Sequence, residues 1–307
     1  MIEGQEGVTW SQWCDLAEAC ERHGIDTLFR SDHYISMSNE TGNVAHDAWT
    51  TLAGLAARTT TLRFGTLVSP ETFRLPGLLA NVASTVDHIS GGRIELGLGG
   101  GWMEREHRAY GFPFPETSER LARFAEQLEI VHRLWTEETV DFRGTYYTLE
   151  NAPAQPKPVQ QPRPRIIVGG SGTRGTAEPA ARLADEYNTP FASPENFARI
   201  RAKVEAAAQR TGRTLDYSLM TTCLIGETRD EALERARRLY GRSQRAADFD
   251  SWLAAYEQRS LLGSIDEVVE RLREYERAGC GRAMLQHLLH DDLDAVALMG
   301  RLGQQLV

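Results

Sequence analysis

Four cysteines in 307 residues, Cys14, Cys20, Cys223 and Cys280, are far apart and form no CxxC pair. Neither a disulfide framework nor a zinc cluster is predicted, and the four read as reduced packing residues. No apolar run approaches the roughly 20 residues that a membrane span needs. No charged-then-apolar leader opens the chain, so the expected location is the cytoplasm, with no membrane partner. Basic charge is also short: 34 lysines and arginines against 43 acidic residues leave a formal net charge of -9. A surface of that sign repels phosphate backbones and argues against nucleic acid as a partner. No internal repeat is present.

The remainder is ordinary globular material, 41% hydrophobic and 25% charged, with room for a large core. Helical and strand patterns alternate. "TWSQWCDLAEACERHG" carries apolar residues at helical spacing and stops at Gly24, and "IDTLFRSDH" reads as a strand ending in a polar loop. "DAWTTLAGLAARTT" is then a helix and "LRFGTLV" a strand. "PGLLANVASTVDHISGG" is a helix opened by Pro76 and closed by Gly91 and Gly92, and "RIELGLGGG" is the next strand with its loop. Comparable units start at "RIIVGG", "EYNTPFA", "YSLMTTCLIG" and "RAMLQHL". About seven complete strand-helix units predict a parallel sheet covered by helices, and that number favours closure into a (β/α)8 TIM barrel. The first strand is the weak point, because "MIEGQEG" leaves it short or truncated. Two excursions from one barrel domain spanning 1–307 are expected. One, near 136–164, has a hairpin in "TVDFRGTYYTL" and a proline-rich connector; the other, near 243–262, is mostly helical.

In a parallel barrel the loops that follow the strands open onto one face. Those loops carry Asp32 and His33, "TLVSPETFR", the triplet Gly99, Gly100 and Gly101 with Trp102, "GGSGTRG", Asn188, and Gln286 with His287. The triplet suits a flat ligand lying against bare backbone with Trp102 as a wall; a tight strand-to-helix turn suits it equally. Gly170, Gly172 and Gly175 fit G-x-G-x-x-G between a strand and a helix. Free amides at that helix start favour an anion by up to ~2 kcal/mol, and Arg174 is placed to add a charged contact. A full dinucleotide fold is disfavoured, because several strand-helix units precede this one. His33 is a candidate general acid or base, with a solvated loop histidine as the plainer alternative. Glu104, Glu106 and His107 superficially suggest a metal set. Without HExxH spacing they read mainly as a charged helix start, and no metal is expected.

Together, "GIDTLFRSDHY", "AWTTLAGLAARTTTLRFGTLVSPETFRLPGLLANVASTVDHISGGRIELGLGGGWMEREHRAYGFPFP", "PKPVQQPRPRIIVGGSG" and "AARLADEYN" resemble the bacterial luciferase-like monooxygenase superfamily. More narrowly, they resemble its branch that uses the deazaflavin coenzyme F420. The resemblance implies an oxidoreductase on a (β/α)8 barrel with the cofactor in its mouth, a small-molecule substrate, and a homodimer. Asp32 and His33 match the loop that meets cofactor or substrate. Leu67 and Val68 match a bulge, often with a cis non-proline peptide, that backs the ring. Gly100, Gly101 and Trp102 match the loop bordering it. Gly169, Gly170, Ser171 and Gly172, followed by Thr173 and Arg174, match the segment that holds the cofactor phosphate. Some deazaflavin relatives have an acid where this chain has Trp102, which leaves His33 as the acid-base candidate. An FMN-dependent monooxygenase and a non-catalytic cofactor-binding barrel are the alternatives.

Overall fold

The computed structural model describes residues 1–37, 44–242 and 248–306. Helix α1 (Trp10–Arg22) and strand β1 (Thr27–Arg30) come first, followed by α2 (Ala48–Ala56), β2 (Arg63–Thr66), the two-residue β3 (Ser69–Pro70), α3 (Pro76–Ser90) and β4 (Ile94–Gly99). Next are α4 (Glu104–Tyr110), α5 (Thr117–Thr136), β5 (Thr139–Arg143), β6 (Thr148–Pro153), β7 (Arg165–Gly169), α6 (Arg174–Leu183), β8 (Glu186–Pro190), α7 (Pro194–Thr211) and β9 (Asp216–Gly226). The last group is α8 (Arg229–Arg242), α9 (Phe249–Glu257), β10 (Leu261–Ser264), α10 (Ile265–Arg277), β11 (Arg282–Gln286) and α11 (Leu293–Gln304).

Local chemistry explains the boundaries. A capping box between Thr9 and Gln12 starts α1, and another between Ser264 and Glu267 starts α10. Pro76 opens α3, and Gly91 closes it at φ 66°, a left-handed conformation that glycine adopts without a Cβ clash.

The parallel strands run in the order β1, β2, β4, β7, β8, β9, with β11 also paired to β9. Between β11 and β1 lies the start of the chain. The Ile2 amide donates to Phe29 O at 2.9 Å, and the Ser31 amide donates to Ile2 O at 3.0 Å. On the other side, the His287 amide donates to Met1 O at 2.9 Å. These bonds complete the (β/α)8 barrel. The short first strand expected from "MIEGQEG" is a bridge between Ile2 and Arg30.

Side chains alternate along each strand between the helix layer and the barrel interior. In β7, Ile166 and Val168 join the large outer cluster with Leu96, Phe124 and Leu128, whereas Ile167 packs inward with Phe29, Met220 and Met284. The interior is narrow where β2 and β4 meet: a Cβ on Gly97 would lie 2.0 Å from Thr66 O. At the end of the barrel where the strands begin, Arg63, Glu95, Arg282, Glu186 and Arg165 form a connected chain of ion pairs. Loops at the opposite end surround the site.

Both excursions are present. β5 and β6 form the antiparallel hairpin, and its connector contains cis Gln155–Pro156 and Gln161–Pro162 peptides. α9 lies within the second, whose residues 243–247 fall outside the described part. Among the described residues, no helix is long and apolar enough to cross a membrane.

Candidate active site

The loops after the strands enclose a cavity of about 810 Å³, in the upper part of the roughly 300–1,000 Å³ usual for small-ligand sites. Its wall includes His33, Leu67, Val68, Gly99, Gly100, Gly101, Trp102, Gly169, Gly170, Ser171, Thr173 and Asn188. Both glycine turns therefore face one space. The Leu67–Val68 peptide is cis, as the resemblance implied.

His33 follows β1 and is held by an acid from another element. Its Nδ1 lies 2.7 Å from Glu106 Oε1, and the Tyr34 amide donates to Glu106 Oε2 at 3.1 Å. Glu106 is only 1% exposed. Burial alone would lower the imidazole's pKa. The hydrogen bond and charge of Glu106, with Glu3 and Asp32 farther away, outweigh that effect and raise it above its ordinary value. A proton on Nδ1 satisfies Glu106 and leaves Nε2 as the exchanging atom. Trp102 stands edge-on to this ring, 5.7 Å between centroids and 77° between planes.

This arrangement corrects the reading of Glu106 and His107 as mainly a charged helix start. Both are buried in α4. His107 Nδ1 sits 2.7 Å from Met103 O and its Nε2 2.6 Å from Thr72 Oγ1, so it braces the neighbouring loop. A sequence signal for Glu106 existed. Helical Cβ atoms tilt toward the helix N-terminus, so an acid in the first turn after a strand-end loop points back at the strand ends.

Asp32 is also placed differently from expectation. It is 1% exposed, accepts from Ser69 Oγ at 2.6 Å and from Arg74 Nη1 at 2.5 Å, and lies off the cavity wall. Arg74 also reaches Asp47 Oδ2 at 2.6 Å, so Asp32 belongs to a supporting ion cluster. Arg174 is turned outward into an exposed i,i+4 pair with Glu178, and Gly172 lies behind the wall with its amide on Tyr187 OH at 2.8 Å. His287 is likewise off the wall; burial, helped by neighbouring cations, pushes its pKa down to about 3.

The glycines serve the protein's own packing before any ligand. A Cβ on Gly99 would lie 2.8 Å from Val68 Cγ2, one on Gly169 3.1 Å from Val68 Cγ1, and one on Gly100 3.0 Å from Leu121 Cδ2. Val68 thus sits between the two turns. Gly101 has φ 71°, a left-handed turn that glycine permits. Sequence reasoning placed Gln286 at a strand end but did not single out its polar partners Glu3 and Thr222. Gln286 Nε2 donates to Glu3 Oε1 at 2.5 Å, and Thr222 Oγ1 donates to Gln286 Oε1 at 2.8 Å. No local pattern marks Glu3: besides its neighbour Gln5, it is held by Gln286 from the far end of the chain.

The residues present fit a planar ring with a phosphorylated tail. The cavity has bare backbone at Gly100, Gly101 and Gly170 on its wall. The N-cap of α6, Thr173, makes no side-chain cap hydrogen bond, and the Thr176 amide donates to Thr173 O, so the amides left available to an anion beside Ser171 and Thr173 are those of Arg174 and Gly175.

The sequence profile of a family described as luciferase-like monooxygenase matches residues 2–282. An F420-dependent glucose-6-phosphate dehydrogenase of Nakamurella multipartita is 31% identical, the match covering 92% of this chain and 80% of that protein. An FMNH(2)-dependent dimethylsulfone monooxygenase of Pseudomonas putida is 29% identical across 71% of this chain and 59% of that one. Among solved structures, the monooxygenase RslO1 from Streptomyces bottropensis superposes with a TM-score of 0.80 at 26% identity, covering 97% of this chain and 92% of the other.

Proposed function

The chain belongs to the luciferase-like monooxygenase family, and from that premise we propose that it is an F420-dependent oxidoreductase exchanging a hydride with a small organic substrate. The observation that carries this reading is the His33–Glu106 pair, which places one exchangeable imidazole nitrogen on the wall of a cavity lined by bare backbone. Hydride exchange between an alcohol and a carbonyl compound requires one such proton-transfer group.

When bound, the deazaflavin supplies the two-electron hydride acceptor or donor. Gly100, Gly101 and the Leu67–Val68 peptide would border its ring, and the amides around Ser171 and Thr173 would hold its phosphate. His33 Nε2 takes the hydroxyl proton as a substrate is oxidised and returns it in the reverse direction. Glu106 accepts the Nδ1 proton's hydrogen bond, fixes the tautomer and stabilises the imidazolium that forms. An FMN-dependent monooxygenase is the second reading, favoured by the dimethylsulfone monooxygenase relative.

Titrations with coenzyme F420 and FMN side by side, followed by absorbance, test the assignment. The expected result is saturable F420 binding at least tenfold tighter than FMN binding; the opposite order overturns it. The same reading treats 1–307 as one barrel domain of a cytoplasmic homodimer. Its four free cysteines suit a reducing compartment. Leu75, just before α3, and Leu78 and Ile89 within it are outward apolar side chains exposed by 69%, 55% and 45%, an apolar surface for a second copy. Sedimentation of wild type and Leu78→Glu checks this: a dimer that the substitution splits is expected.

A further inference from the structure

We propose that the substrate is an uncharged, largely apolar carbonyl or alcohol compound, and that Trp102 is the residue that selects it. This rests on the oxidoreductase reading above and specifies the substrate class of the same site. The charge inventory comes first. Among the described residues lining the cavity, the charged side chains are Glu3, Glu106, the exposed rim residue Arg259 and, when protonated, His33. Glu3 and Glu106 are buried, at 4% and 1% exposure, so their fields are poorly screened. A phosphate or carboxylate brought beside His33 would face both: a protonated His33 is already paired with Glu106, which leaves Glu3 opposed only by one guanidinium at the rim.

The mouth, by contrast, is apolar. Met37, Trp102 and Phe191 all line the cavity and are exposed by 42%, 62% and 43%. Phe191 keeps a left-handed backbone, φ 50°, which costs energy in a residue with a Cβ, and its amide is fixed on Met220 O at 2.8 Å. The fold thus tolerates strain at the residue whose phenyl ring lies on this rim. Trp102 is in ring contact with His33. A hydroxyl or carbonyl oxygen within reach of His33 Nε2 therefore places the rest of its molecule beside the indole. In oxidation, the carbinol C–H bond breaks with its electron pair going to the deazaflavin, and the O–H proton goes to His33; reduction reverses both transfers.

Acetophenone and benzoate are close in size and differ in charge, and neither exchanges a hydride with oxidised deazaflavin. Calorimetric titration of each into the F420-loaded protein, with glucose 6-phosphate as a third probe, tests the proposal. Acetophenone is expected to bind at least tenfold tighter than either anion. Trp102→Ala should weaken acetophenone at least tenfold while Trp102→Phe stays within threefold, and Glu3→Gln should narrow the gap to benzoate. Equal or tighter binding of an anion, or acetophenone affinity indifferent to Trp102→Ala, overturns the proposal. If the protein takes FMN and not F420, the cofactor assignment fails, and the same titrations on the FMN-loaded protein still decide the substrate class.

Discussion

The two ends of the barrel use similar side chains for opposite purposes. Where the strands begin, Arg282 bridges Glu95 and Glu186 at 2.7 and 3.3 Å, Arg63 meets Glu95 at 3.1 Å, and Arg165 meets Glu186 at 2.9 Å. The carboxylates of Glu95 and Glu186 are held between arginines, and the end is closed by charge. Where the strands finish, Glu106 holds one nitrogen of His33 and leaves the other on a cavity wall. Ionisable groups tied to one another stabilise; a group tied on one side and open on the other is available for chemistry.

The largest effect expected at the open end is His33→Asn, which should reduce turnover roughly 10²- to 10⁴-fold, as loss of a general acid or base does. Thermal unfolding should change little, since the introduced side-chain amide can still donate to the buried Glu106. At the closed end, Glu95→Ala should invert that pattern. It leaves Arg63 without its carboxylate and Arg282 with Glu186 alone, and should cost about 2 kcal/mol of stability in denaturant unfolding, below the ~3–5 kcal/mol of a fully buried pair. The reduction follows from the arginines' own exposure, 34% and 28%. Turnover at 25 °C should persist. A Glu95 variant that loses activity without losing stability would undo the division between the ends.

Glu106→Gln sharpens the contrast. Neutral His33 is the base for oxidation, so the rate should climb as pH passes a pKa lying above the ordinary imidazole value of about 6.5. Removing the Glu106 charge leaves desolvation as the main influence, so the climb should move to lower pH, with about a tenfold lower maximal rate. The pH profile of kcat measures both. Outside the site, Glu21 gives the smallest effect. Its Oε1 accepts amides of Thr60, Thr61 and Leu62 ahead of β2. Burial opposes ionisation there, but those hydrogen bonds prevail and bring its pKa down to about 2. Stability from this depressed carboxylate is present above its unfolded value of about 4.5 and fades as pH falls through about 2. Glu21→Gln should therefore flatten the acid limb of a stability-against-pH curve.

Much of the site lay in plain view along the chain because its parts are local. Each βα unit carries its own caps, its own apolar period and its own strand-end loop, so the barrel, both glycine turns and His33 follow from short stretches. The Leu67–Val68 cis peptide followed from the family resemblance of those same stretches. Glu106 was visible too, and was passed over because helix starts so often carry acids for reasons of dipole alone.

Other features depended on contacts between residues remote in the chain. Nothing near Asp32 announces that Arg74 will claim it, and nothing near Gly99 or Gly169 announces that Val68 will fill the gap between them. Glu3 meets Gln286 only because closing the barrel brings the first residues beside β11. Periodicity and capping act over one or two turns of chain, so they are written in neighbouring residues. Which carboxylate is neutralised, which glycine is filled and which ring nitrogen stays open depend on packing across the closed sheet, where sequence distance no longer measures proximity.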